Sequence, residues 1–187
     1  MKHFVMWKAV PITAAVLVAG SAMYAQTPAP APITEATALK NSYNGIKANL
    51  TKAAERMPED QYGFKASPDI RTFGALVGHI ADTQARFCTI AAGGTPAPGD
   101  GAEKTKTSKA DLVAALKASF DACDAAWDSM NDTSAAEMIA GRGGRQTSKL
   151  GTLAFITIVH NNEEYGYLAM YMRMKGMVPP SSDRGPM

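Results

Sequence analysis

The sequence predicts an all-α protein, a four-helix bundle in up-down-down-up order with a long crossover between helices 2 and 3. Three observations predict the helical class, and the order of the helices follows from the residue levels counted below. Four stretches repeat apolar residues at three-, four- and seven-residue steps, the period of a helix with one buried face. These stretches are punctuated by Ser or Thr before a first turn and by Gly or Pro after a last one. No stretch reads convincingly as a strand, and no internal repeat has solenoid spacing.

Before the first of these stretches, the chain reads as an export leader. Lys2 and Lys8 form a basic start, residues 9–20 are apolar apart from Thr13, and small residues lead up to Ala25. This is the pattern of a secretory signal peptide over 1–25, with an apolar run too short for a comfortable membrane span. A cut after Ala22 and an uncleaved anchor are the alternatives. The expectation is therefore an exported protein, periplasmic or secreted, with no stable membrane span after cleavage. Cleavage removes two of the 19 basic residues and none of the 17 acidic ones, so 17 of each remain. The formal charge of +2 falls to zero, and no basic excess points to nucleic acid as a partner. Residues 26–33, QTPAPAPI, read as an extended Pro/Ala-rich spacer. The folded domain is expected over 34–187, long enough for one core.

The first helix is expected over about 35–57, capped by Thr34 and stopped by Pro58. Leu39, Tyr43, Ile46, Leu50 and Met57 form its stripe. A polar loop follows, with Tyr62 and Phe64 as anchors and Pro68 opposing continuation. The second helix, about 72–92, carries Phe73, Leu76, Ile80, Phe87 and Ile90 and stops at Gly93–Gly94. Residues 93–107, rich in Gly, Pro, Thr and Lys, are long for a bundle hairpin. The third helix follows Ser108, with Asp111 placed as in a capping box. It runs to about Met130 through Leu112, Leu116, Phe120, Cys123 and Trp127. The fourth is capped by Ser148, runs to about Lys175 and closes at Gly176, with Pro179–Pro180 beyond. Leu153, Ile156, His160, Glu164, Tyr167 and Tyr171 share its stripe.

Beyond the leader the chain has two histidines, His79 and His160, both on inward stripes of different helices. Ionisable groups are rarely buried unless paired, hydrogen-bonded or bound to metal. Glu164 lies four residues after His160, on the same helix face. Two imidazoles and a carboxylate suit a divalent metal, Zn, Ni or Fe, and leave positions open for water or substrate. The alternative is a pair of hydrogen-bonded core histidines with Glu164 turned to solvent.

Counting residues from the helix ends ties this site to topology. In a simple up-down-up-down bundle, His79 and His160 would be offset by roughly 7 Å along the axis. The segment 93–107 can instead span about 50 Å, longer than any of the helices. Crossing the bundle with it brings the two histidines level. The same crossover brings Cys88 and Cys123 level, whereas a hairpin would separate them by roughly 16 Å. A Cys88–Cys123 disulfide is the expectation that follows, with two buried free thiols as the alternative.

Two stretches carry a family resemblance. TFGALVGHIADTQARFC (72–88) and HNNEEYGYLAMYMRMKGMVPPSS (160–182) resemble the DinB-like bundle proteins, and the likeness extends over about 35–182. The resemblance implies a four-helix bundle with the crossover and a three-histidine divalent-metal site. It also implies thiol-dependent transferase or isomerase activity, as in some members. His79 and His160 match two of the ligands. The third position falls on Glu164 rather than histidine, which shifts the set towards a harder metal or weakens it.

Glu163, Asn161 and Asp82 are candidates for orienting the imidazoles, against solvated positions as the alternative. GRGGR (141–145) precedes a helix start and would suit an anionic group of a substrate, against a flexible loop. Tyr165, Tyr167 and Tyr171, and the methionines 170, 172, 174 and 177, are explained most simply by packing and surface. The functional expectation is a metal-dependent hydrolase or thiol-group transferase acting on a small molecule, with a homodimer as a further expectation. A non-enzymatic binding or stress-associated bundle with a degenerate site is the first rival, and a closed metal-storage or sensing site the second.

Overall fold

The computed structural model describes residues 33–140 and 144–183. The expected leader, residues 26–32 of the spacer and residues 141–143 of the GRGGR segment lie outside the described residues. Helix α1 (Glu35–Arg56) begins where the Thr34 hydroxyl accepts from the Thr37 N–H, and it ends as Met57 turns extended before Pro58. Thr72 caps α2 (Phe73–Ala91) through the Ala75 N–H. Ser108 caps α4 (Lys109–Asp128) through the Asp111 N–H. Between them, the single turn α3 (Ala102–Thr105) interrupts the connection that the sequence reads as wholly irregular. After α4 come the short α5 (Asp132–Ala135) and two strands, β1 (Met138–Ala140) and β2 (Gln146–Ser148).

The antiparallel pairing Met138↔Ser148, Ile139↔Thr147 and Ala140↔Gln146 corrects the expectation of no strand. Strands of three residues are too short to leave a period in the sequence. Their ribbon delivers the chain to Ser148, which caps α6 (Lys149–Ala154). Then follow a π-helix (Phe155–His160) and α7 (Asn161–Met174). Together these three segments make the fourth long helix. Gly176, at φ 71°, closes it in the left-handed region that glycine adopts without strain.

Cross-helix contacts give the directions. Along α2 and α4, a Cβ on Gly74 would touch Leu112, Gln84 bonds Ser119, and Cys88 is joined to Cys123. Both sets of numbers rise together, so the two helices are parallel. Along α1 and α4, Lys40 pairs with Asp128, Tyr43 with Asp124, and Glu55 with Lys117, so these two are antiparallel. Tyr171 of α7 bonds the carbonyl of Arg71, while Asn161 bonds Gln84, so α7 is antiparallel to α2. The order is up-down-down-up, with α3 inside the crossover.

The core between these helices includes Tyr43, Leu50, Phe73, Ile80, Leu116, Phe120, Trp127, Leu153, Leu168 and Met172, all buried. The Cys88–Cys123 disulfide lies within it, with Cα atoms 4.9 Å apart. One stripe residue departs from expectation. Tyr167 is 45 % exposed, while Asn161, Glu164, Tyr165, Leu168, Tyr171 and Met172 form the buried face of α7. Its hydroxyl turns outward to Glu163.

Candidate metal centre

His79 comes from the second turn of α2, His160 from the last residue of the π-helix, and Glu164 from the first turn of α7. One ligand atom from each lies within 4.8 Å of the other two. Glu164 Oε1 sits 3.4 Å from His160 Nε2 and 3.7 Å from His79 Nε2. Glu164 is 6 % exposed, so it points inward, not to solvent. Its second oxygen, Oε2, is buried with no hydrogen-bond partner among the described residues. A buried carboxylate oxygen without a partner is costly in a folded protein. Two imidazole nitrogens and a carboxylate with a spare oxygen fit a divalent metal, because coordination would satisfy what the protein leaves unpaired.

Each imidazole is held from behind. The Nδ1 of His79 lies 3.1 Å from Glu103 Oε2. Arg71 Nη2 lies 3.4 Å from the same nitrogen. Donation from Nδ1 to the carboxylate would leave the Nε2 lone pair facing the centre. Arg71 Nε donates to the other oxygen of Glu103 at 2.8 Å. Burial pushes the Glu103 carboxyl up, but hydrogen bonds and charge from Arg71 and His79 outweigh this and hold it below the usual carboxylate range.

Glu103 is the functional residue that sequence reasoning missed. It stands on α3, and α3 stands on α2. Asp82, one of the sequence candidates, accepts from the N–H groups of Ala102 (2.6 Å) and Glu103 (3.0 Å). It thus caps the turn that presents Glu103 and acts on His79 through it. Gly78 allows the close approach, since a Cβ there would fall 2.6 Å from the Glu103 Cα. The legible signal was one of two acids in a polar connection, without period or motif.

Asn161, for which a solvated position was the alternative, is fully buried. Its Nδ2 donates to Gln84 Oε1 at 2.9 Å, and its Oδ1 lies 3.5 Å from His160 Nδ1. Glu163 is exposed and bonds Tyr167, so it does not reach the imidazoles. Tyr165 and Tyr171 spend their hydroxyls on the backbone at Ser181 and Arg71, as packing residues do.

The widening of the helix before His160 has a local cause. The Thr157 hydroxyl donates back to the Leu153 carbonyl at 2.7 Å and accepts from Trp127 Nε1 at 3.3 Å. That back-bond takes up the acceptor an α-helix would offer to the Thr157 N–H. At the far end, the Asn161 N–H reaches the Ile156 carbonyl, five residues back.

A family model described as the DinB superfamily matches residues 44–168. The chain belongs to the DinB superfamily. No curated protein matches it. Among solved structures, a DinB-like protein from Bacillus cereus ATCC 10987 is similar at a TM-score of 0.64 and 18% identity, over 77% of this chain and 95% of that one. A conserved protein from Enterococcus faecalis is similar at a TM-score of 0.59 and 12% identity, over 76% and 99%. At these identities the likeness to the two structures is one of fold.

Two cavities meet this DinB centre. One, of about 540 Å³, is lined by His79 and His160 together with Thr83, Phe87, Thr152 and Phe155. The other, of about 670 Å³, is lined by Glu164 with Arg71, Glu103, Tyr167 and Tyr171. Both are within the size range of small-molecule sites. The centre therefore sits between two spaces from which a small molecule can approach.

Proposed function

We propose that this DinB-superfamily chain is an exported protein with a mononuclear divalent-metal centre held by His79, His160 and Glu164, and that it works as a metal-dependent hydrolase or thiol-group transferase. The convergence of His79 Nε2, His160 Nε2 and Glu164 Oε1, on a carboxylate whose other oxygen has no partner among the described residues, carries the reading. A bound zinc, nickel or iron ion would supply Lewis acidity and activate a water or thiol nucleophile. Glu103 would keep the proton of His79 on Nδ1, and Arg71 would keep Glu103 charged and aimed. Glu164 would lower the net charge of the centre, as the family's histidine would not. The flanking cavities would admit the small-molecule substrate on either side. Thiol transfer is supported by the family resemblance alone, and hydrolysis by the residues. Export is supported by the leader pattern of residues 1–25 and by the disulfide, which suits an oxidising compartment.

The test is elemental analysis of untagged protein. Close to one equivalent of a single divalent metal is expected, falling to a trace in His160→Ala and His79→Ala. Substoichiometric metal that is unchanged in His160→Ala would overturn the centre and leave the non-enzymatic bundle. Stoichiometric metal with no exchangeable water would point to a closed storage site.

A further inference from the structure

The cavity on the histidine side has a chemistry of its own. Phe87, Phe155 and Ile156 give it apolar walls, and Phe155 is 62 % exposed although it is a large aromatic. Thr152 lines the same space. Only 7 % of it is exposed, and its Oγ1 has no hydrogen-bond partner among the described residues. The hydroxyl oxygen is itself buried, so Thr152 contributes to the wall and offers the cavity no hydrogen bond. Arg145, exposed just before β2, lines the cavity, and no other lysine or arginine among the described residues does. It makes no ion pair or hydrogen bond with any described residue. A guanidinium fork beside an apolar wall fits a planar carboxylate.

We propose that this cavity binds a small carboxylic acid with an apolar body, its carboxylate on Arg145 and its hydrocarbon or aromatic part along Phe87, Phe155 and Ile156. The ligand then lies against the face of the centre formed by His79 and His160. The proposal names the substrate class of the metal centre and rests on that reading for its catalytic meaning.

Its test separates the two. Binding of 4-phenylbutanoate and of its neutral amide, 4-phenylbutanamide, is measured by calorimetry on the full chain, once stripped of metal and once loaded with zinc. The acid is expected to bind the stripped protein at least ten-fold more tightly than the amide. Arg145→Gln should abolish that preference, while Arg145→Lys should keep part of it. Equal binding of acid and amide, or an Arg145→Gln variant that keeps the preference, overturns the assignment. Binding seen only with zinc and indifferent to Arg145 also overturns it, because the carboxylate would then be held by the metal. Failure of the metal reading shows separately, as absent metal in protein that still discriminates acid from amide.

Discussion

A single side chain in the crossover decides how His79 is presented. Glu103 reaches Nδ1 from a turn that Asp82 caps and Gly78 lets approach. Carboxylates that orient a metal-ligating histidine typically contribute ten- to hundred-fold to metal affinity. Glu103→Ala is expected to weaken binding by about that factor, measured by competition with a chromophoric chelator, while far-ultraviolet circular dichroism stays unchanged. An unchanged affinity would reduce Glu103 to a surface ion pair with Arg71. His79, His160 and Glu164 were legible because two inward histidines and an acid one turn later stand out against apolar stripes. Glu103 was not, because nothing local marks an acid in a Gly/Pro-rich segment. Only its docking on α2 gives it a role.

At the level of elements, the long helices announced themselves through caps and periodic apolar residues. Thr34, Ser108 and Ser148 each accept from the N–H three residues on, as their positions suggested. The one-turn α3, the ribbon and the π-helix left no such mark. They are too short for a period, and nothing in the sequence marks Thr157 as the threonine that bonds back to its own helix at Leu153. The pairing of α1 with α4 has a consequence in alkali. Burial, and then the hydrogen bond to Asp124, push the Tyr43 phenol well above its ordinary value, and burial does the same for Tyr62. An unfolded tyrosine ionises near pH 10, while these two stay protonated in the fold. Their contribution is complete below about pH 10 and declines as the pH rises through and beyond it. The urea midpoint should therefore fall between pH 9 and pH 11, and Tyr43→Phe should flatten that fall while costing about 1 kcal/mol at neutral pH. A midpoint just as steep in Tyr43→Phe would assign the alkaline loss elsewhere.

For the molecule as a whole, the crossover and the disulfide are one arrangement. Parallel α2 and α4 bring Cys88 and Cys123 to one level, and the bond closes a loop with a sequence separation of 35. In the chain-entropy view such a link contributes about 3–4 kcal/mol. The double variant Cys88→Ala, Cys123→Ala should melt about 10 °C lower, yet keep its metal, because neither cysteine is among the residues of the centre. Loss of metal along with stability would mean that the bond also holds α2 in register with α7. The primary structure alone determined four helices, their caps, the inward histidines and a connection long enough to cross the bundle, because periodicity, capping and chain length are local properties. It also placed Glu164 one helical turn after His160. Tertiary structure alone decided that Glu164 faces the histidines with one oxygen unpartnered, that Glu103 and Asp82 stand behind His79, and that cavities open on both sides of the centre. Those features depend on which surfaces meet when parallel and antiparallel helices pack, and no window along the chain contains both partners.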